Sequence, residues 1–145
     1  MLVGATMTYS RKHYDRLLCR SLFDWYYIGM KYFYHIAKKN DWVEASRNGS
    51  YSVSTLGKTL NEVGFIHFSF AHQVKMVADF IYKDTPYLIL LKINPSKLKP
   101  EVKIEAVDGT DEKFPHLFGP LNVDAVESVL ELKLSPDGSF PNIEG

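Results

Sequence analysis

The sequence predicts a single compact α+β domain. Three observations support this prediction. The chain has 145 residues, short apolar segments with strand-like patterns outnumber segments with helical periodicity, and few segments could form a parallel crossover. Apolar residues make up 46% of the chain and charged residues 23%, which is ordinary for a globular protein. The single cysteine, Cys19, excludes a disulfide framework and a cysteine-rich metal site, and it fits a reducing compartment.

Residues 1–29 are predicted to form an N-terminal, helical extension ahead of one domain at residues 30–145. Apolar side chains recur in this extension at helical spacing, namely Tyr14, Leu18, Leu22 and Trp25. The extension binds a partner or membrane surface, or is a weak targeting segment, or is an appendage without a catalytic role. It has no apolar core of secretory type, and no apolar run reaches the roughly 18 residues of a membrane span. We therefore expect a cytoplasmic protein that does not span a membrane.

The first part of the predicted domain contains a strand, a helix and a loop. The strand is predicted at KYFYHIA, residues 31–37, which is rich in aromatic side chains. The helix is predicted at DWVEASRN, residues 41–48, with Asp41 as its N-cap and an end near Gly49. The loop is predicted at SYSVSTLGKT, residues 50–59, because this segment is polar and rich in hydroxyl groups.

The second part of the predicted domain contains four strands, a helix and a loop. Strands are predicted at GFIHFSF (64–70), YLILLKI (87–93), VKIEAV (102–107) and AVESVLELKL (125–134), and a helix at AHQVKMVADFIYK (71–83). In GFIHFSF, the alternation places Phe65, His67 and Ser69 on one face. The two prolines and one glycine of FPHLFGPLN, residues 114–122, predict a stiff loop that presents His116.

Three of the five histidines, His35, His67 and His116, stand in apolar strands or in this stiff loop. No metal site is predicted, because the spacing of His67 and His72 is not an established ligand spacing. Ser69 beside His67 lacks the nucleophile elbow of a serine hydrolase. A neutral imidazole in a partly dry cleft can donate and accept hydrogen bonds, which suits ribose hydroxyl groups. The structural alternatives are a core histidine at position 35 and a loop-fixing histidine at position 116.

Glu105 is the candidate carboxylate. It stands on a predicted strand among apolar residues, where it could accept a hydrogen bond from a ligand hydroxyl or stabilise a developing cation. It shares its face of that strand with Lys103 and Val107, so the alternative is an ordinary solvated face.

The charges divide the chain into a basic and an acidic part. Residues 30–100 carry a net charge of +5 and residues 101–145 a net charge of −7. The basic part either favours an anionic ligand, such as a dinucleotide or RNA, or attracts the acidic part. We expect a nucleotide or another small molecule as the ligand, and we do not expect nucleic acid. The sequence does not identify a protein partner.

Several segments resemble the family catalogued as domain of unknown function 952. They are YHIAKKNDWVEASRNGSY, GFIHFSFAHQVKMVADFIY, LILLKINPSKL, VKIEAV and FPHLFGPLNVDAV, in this order between about Tyr32 and Leu134. That family looks like a small, divergent, bacterial branch of the ADP-ribosyltransferase fold. The resemblance therefore implies two short packed β-sheets with a few helices, and a cleft that binds NAD as a substrate.

The resemblance also implies roles for individual residues. His35 is similar to the residue that bonds the adenosine-side ribose, and Ser69 to the residue that supports the nicotinamide pocket. Tyr51 and His67 are expected to line the same cofactor cleft. Glu105 or His116 would stabilise charge during transfer or cleavage at the nicotinamide ribose, without a metal. The alternative is a non-catalytic ligand- or partner-binding module, because Arg47 is the only arginine after residue 20 and the arginine set of related RNA 2′-phosphotransferases is missing.

Overall fold

The protein is represented by a computed structural model that describes residues 7–9 and 32–144. The strands are β1 (Met7–Tyr9), β2 (Phe33–Lys38), β3 (Ser50–Tyr51), β4 (Val53–Thr55), β5 (Lys58–Thr59), β6 (Ile66–His67), β7 (Leu88–Ile93), β8 (Val102–Ala106), β9 (Lys113–Leu117), β10 (Leu121–Asn122) and β11 (Val126–Leu132). The helices are α1 (Lys39–Asn48), α2 (Leu60–Val63) and α3 (Val74–Ile81), with 3-10 turns at Ala71–Gln73, Pro95–Lys97 and Val123–Ala125. This is a mixed α and β structure of several short sheets and few helices, so the predicted class is confirmed at that level.

Two larger antiparallel sheets form the frame. One has the strand order β1-β8-β9-β6, and the other has the order β11-β7-β2. Two small antiparallel pairs, β10-β3 and β4-β5, accompany them. The two larger sheets meet where Tyr34 and Ser69 exchange a pair of backbone hydrogen bonds, each of 2.8 Å.

Strands β2 and β7 of the three-stranded sheet are buried on both faces, whereas most of the edge strand β11 is exposed or half-buried. Along β2 and β7, alternate residues belong to two different apolar clusters. The first cluster includes Phe33 and Leu91, and it packs towards the four-stranded sheet. The second cluster includes Tyr34 and Leu90, and it packs against Val74, Val77 and Ala78 of α3. Both faces of β7 are covered, and its sequence is apolar except for Lys92, as expected of a buried strand.

The four-stranded sheet has one apolar and one more polar face. Ile66, Val102, Ile104 and Leu117 point into the first cluster and are at most 1% exposed. On the opposite face, β8 presents Lys103 and Glu105, β9 presents Phe114 and His116, and β6 presents His67. The alternation of VKIEAV therefore predicted correctly which face Glu105 occupies.

Helix α1 ends as predicted but begins differently. Gly49 follows its last residue with a φ of 85°, a left-handed conformation that glycine adopts without steric cost. The predicted N-cap at Asp41 is wrong, because the helix begins at Lys39 and Lys38 occupies the cap position without a side-chain hydrogen bond. Asp41 lies in the first turn instead, where a negative charge is still favourable for the helix dipole.

The predicted loop at residues 50–59 is wrong, because this segment contains β3, β4 and β5. The partner of β3 comes from far along the chain, since Tyr51 pairs with Leu121 of β10. A capping box between Thr59 and Glu62 then begins the short helix α2.

The predicted loop at residues 114–122 is also wrong, because most of it belongs to strands β9 and β10. The carbonyl of Pro115 in β9 accepts a hydrogen bond from Phe68 N, just beyond the end of β6. The missing N–H of Pro115 would face the same side, where regular pairing has ended.

The N-terminal prediction is only partly covered by the described residues. Met7–Tyr9 pair with Ile104, Lys103 and Val102 of β8. The helical stripe of Tyr14, Leu18, Leu22 and Trp25 lies outside the described residues. The boundary between an extension and a domain at residue 30 therefore stays a prediction. No helix in the part of the chain that the structure describes is long and apolar enough to cross a membrane.

Candidate functional site

A cleft of about 590 Å³ opens on the polar face of the four-stranded sheet. This volume lies within the range of small-molecule sites. The polar groups of its lining include Ser54 from β4, His67 from β6, Glu105 from β8 and His116 from β9. Its remaining lining residues are Thr55, Val63, Phe65, Ile81, Ala106, Val107 and Asp108.

Glu105 and His116 form a hydrogen-bonded pair in this cleft. The register places Glu105 opposite Phe114, so His116 is its diagonal neighbour on the same face. The distance from Glu105 Oε1 to His116 Nδ1 is 2.9 Å. Because an ionised carboxylate only accepts hydrogen bonds, Nδ1 carries the proton and donates it. Burial lowers the pKa of His116, although the hydrogen bond and the charge of Glu105 oppose this shift.

The pairing leaves the other ring nitrogen of His116 with a lone pair. Burial holds the imidazole neutral, so Nε2 can accept but not donate a hydrogen bond. Nε2 is buried and makes no hydrogen bond to any residue that the structure describes. Phe65 stacks on the imidazole with ring centroids 3.9 Å apart and an interplanar angle of 14°, which fixes the plane of the ring. The result is a rigid, buried acceptor on a residue that lines the cleft.

His67 lies directly opposite His116 in the sheet. The centroids of the two imidazoles are 5.4 Å apart, and Phe114 contacts His67 at 4.8 Å. Burial lowers the pKa of His67 to about 3, and the neighbouring His116 and His35 add to this shift. His67 is therefore neutral at physiological pH and adds no positive charge to the cleft.

His35 is buried behind the cleft with both ring nitrogens bonded. Its Nδ1–H donates to the carbonyl oxygen of His67 at 2.8 Å, which makes Nε2 an acceptor for the Tyr51 hydroxyl at 3.0 Å. Burial lowers the pKa of His35 to about 4 and raises the pKa of Tyr51. His35 thus has the environment of a core histidine, and its bond to the His67 backbone helps to position β6.

The structure brings together three of the six predicted site residues. His67, Glu105 and His116 line the cleft, whereas His35, Tyr51 and Ser69 do not. Ser69 was expected to share the face of His67, but regular pairing of β6 ends at His67. The backbone of Ser69 then pairs with Tyr34 of the other sheet, and its side chain is buried.

Sequence reasoning missed Ser54. Its side chain is 0% exposed and lines the cleft, and its Oγ makes no hydrogen bond to the described part of the chain. The only local signal was the hydroxyl-rich run that was interpreted as a loop. The burial of Ser54 depends on β4 packing near β6, which the local sequence does not encode.

The charges at the cleft are negative. Glu105 and Asp108 line it, and no lysine or arginine of residues 32–144 does. Lys103 shares the face of Glu105, but its ammonium lies 4.9 Å from the ring centroid of Phe118, outside the lining. Within the described ranges, no group of three or more His, Cys, Asp or Glu side chains is arranged to hold a metal ion.

Comparison with known proteins finds one matching family and solved structures with a similar fold. A model of the family described as protein of unknown function (DUF952) matches residues 36–129. The X-ray structure of protein CC0527 from Caulobacter crescentus is 30% identical in sequence, with a TM-score of 0.66 over 76% of this chain and 93% of that chain. The solution NMR structure of CC0527 is 29% identical, with a TM-score of 0.61 over 74% and 90% of the two chains. A search of curated proteins finds no match.

Proposed function

We propose that this chain, which belongs to the DUF952 family of proteins of unknown function, binds NAD or a related nucleotide through a ribose in its cleft. One observation carries the proposal: the Glu105–His116 pair leaves a buried, unpartnered lone pair on His116 Nε2 among the described residues that line the cleft. A ribose hydroxyl is a donor of suitable polarity for this acceptor. A buried acceptor without a partner is unfavourable in free energy. A ligand hydroxyl that donates a hydrogen bond to it should therefore bind more tightly.

The same pair can support chemistry at the nicotinamide ribose. When the N-glycosidic bond breaks, nicotinamide leaves with the electron pair and the ribose develops positive charge. The Glu105 carboxylate stabilises this charge. An acceptor hydroxyl or water then bonds to the ribose carbon, and the ribose hydroxyl that is hydrogen-bonded to His116 relays the released proton to Nε2. The hydrogen bond from Nδ1–H to Glu105 stabilises the imidazolium that forms.

Calorimetric titration with NAD tests the proposal. We expect measurable binding to the parent protein and about tenfold weaker binding to His116→Ala, because one good hydrogen bond contributes about 1.4 kcal/mol. His72→Ala is the matched control, since His72 is exposed and lies outside the cleft. The absence of both heat and NMR shift changes at millimolar NAD would contradict the proposal.

The second candidate is a binding module that does not catalyse a reaction. The observation in its favour is that the cleft lining, as far as the structure describes it, contains carboxylates but no lysine or arginine to fix a diphosphate. A sensitive assay for released nicotinamide separates the two candidates. Release by the parent that disappears in Glu105→Ala would exclude the binding module, whereas NAD binding without release would support it.

A further inference from the structure

We infer that Ser54 is a ligand-binding residue, and that it and His116 together bind one hydroxyl of a phosphate-free, nucleoside part of the ligand. This inference rests on the proposed function and deepens it. The nucleoside part would occupy the cleft, and any phosphate groups would remain outside it.

Two of the residues that line the cleft each carry a buried polar atom without a partner among the described residues. Ser54 is 0% exposed and His116 is 5% exposed, and neither Ser54 Oγ nor His116 Nε2 has a hydrogen-bond partner within the described residues. Such groups are rare in folded proteins, because an unsatisfied buried polar atom destabilises the fold. The hydroxyl of Tyr34 is a third such group, but it does not line the cleft. Two of them at one cleft indicate that the ligand supplies the missing partner.

The hydrogen-bonding chemistry of the two groups is complementary to a hydroxyl. The neutral Nε2 of His116 only accepts, since its proton is held on Nδ1 by Glu105. The hydroxyl of Ser54 can donate. A ligand hydroxyl can therefore donate to His116 and accept from Ser54 at the same time. A phosphate oxygen, which is ionised at neutral pH, could not donate to Nε2.

The charges and the apolar side chains of the cleft lining both favour the nucleoside end of a nucleotide over its phosphate end. Glu105 and Asp108 line the cleft and would repel a phosphate. Val63, Ile81 and Val107 are 36%, 38% and 37% exposed, although large apolar side chains usually avoid water. All three line this cleft, so they form an apolar surface for an aromatic base.

The test compares nicotinamide riboside with nicotinamide mononucleotide by calorimetry on the full chain. We expect the riboside to bind at least as tightly as the mononucleotide.

Ser54→Ala should weaken riboside binding about five- to tenfold, because it removes one hydrogen bond. Ser52→Ala is the matched control, since Ser52 is exposed two residues earlier in the chain, and it should leave the affinity unchanged. Asp108→Asn should tighten binding of the mononucleotide at low salt, and it should weaken binding of the riboside, whose pyridinium ring is positively charged.

The thermal stability of Ser54→Ala distinguishes a ligand-binding role from a structural one. The melting temperature of the unliganded variant should equal or exceed that of the parent, because the hydroxyl that is removed makes no hydrogen bond to the described part of the chain. A lower melting temperature with unchanged riboside affinity would overturn the inference.

The outcomes also separate this inference from the proposed function. NAD binding that Ser54→Ala does not weaken would overturn the inference and leave the proposed function standing. Binding of the riboside without binding of NAD would overturn the proposed function and support the phosphate-free cleft. The absence of binding by both would overturn both.

Discussion

At the scale of single residues, the histidines differ in how many of their ring nitrogens are hydrogen-bonded. Both nitrogens of His35 are bonded within the fold, which leaves none for a ligand. His116 has one nitrogen bonded to Glu105 and the other without a partner in the described structure. His35 therefore has a structural environment, whereas His116 keeps the role in ligand binding that we propose above; the sequence resemblance implied that both line the cleft.

The burial of His35 predicts a pH dependence of stability. Its folded-state pKa of about 4 is below the unfolded value of 6.5, so the unfolded chain binds more protons between these values. Stability is therefore fully present above pH 6.5 and decreases as the pH falls towards 4. His35 alone should contribute about 3 kcal/mol to this loss, at about 1.4 kcal/mol per pKa unit. His67 and His116, whose pKa values are also lowered, act in the same direction.

Urea unfolding between pH 5 and 7.5 measures this dependence. The lower limit excludes most of the effect of the carboxylates with lowered pKa, such as Asp79 and Glu127, which protonate at lower pH. His35→Phe should be less stable than the parent, because Tyr51 and the His67 carbonyl lose their partner, but its stability should depend less on pH. Ser52→Ala, which changes an exposed residue without a titratable side chain, should retain the slope of the parent. Equal slopes for His35→Phe and the parent would contradict the assignment.

At the scale of elements, the turn between β9 and β10 is fixed by a close contact. A Cβ atom at Gly119 would lie 2.7 Å from Pro100 Cβ and 2.9 Å from Pro100 Cγ. Because a proline ring cannot rotate away, Gly119→Ala should force the backbone apart at the end of the strand that carries His116. We expect a loss of about 1–3 kcal/mol, which lowers the melting temperature by several degrees.

A double-mutant cycle tests the cause of this loss. Pro100→Gly removes the ring, so Gly119→Ala should be less destabilising in that background than in the parent. The measurement is the free energy of unfolding of the four proteins in urea. An equal effect of Gly119→Ala in both backgrounds would show that the ring does not cause the loss.

The elements also show what the sequence could and could not predict. Local periodicity predicted β2, β7, β8, β11 and the helices α1 and α3. It failed where pairing depends on distant partners, as in β3, which pairs with β10, and in β9, where Pro115 suggested a loop. For the same reason, the sequence indicated Glu105 and His116 as separate candidate site residues but did not predict the hydrogen bond between them. That bond depends on the register between β8 and β9, which is a tertiary property.

At the scale of the whole molecule, the family match confirms the resemblance to domain of unknown function 952. It covers residues 36–129, which include most of both core clusters and all of the cleft residues. The similarity to the CC0527 structures, at 29–30% identity, extends the support to the fold. The relationship to ADP-ribosyltransferases and the binding of NAD stay predictions, which the ligand titrations above address.

The N-terminal residues give the last prediction. The described core clusters consist of side chains from residues 32–143, and we expect a chain that starts at Met30 still to fold. However, β1 covers the outer edge of β8, and its removal leaves that edge unpaired. We expect the melting temperature to fall by only about a few degrees. We also expect the truncated protein to associate at high concentration, as measured by size-exclusion chromatography with light scattering.

Deletion of residues 1–6, which retains β1, is the control and should match the parent in both measurements. A truncated protein that no longer unfolds cooperatively would show instead that residues 1–29 are part of the core.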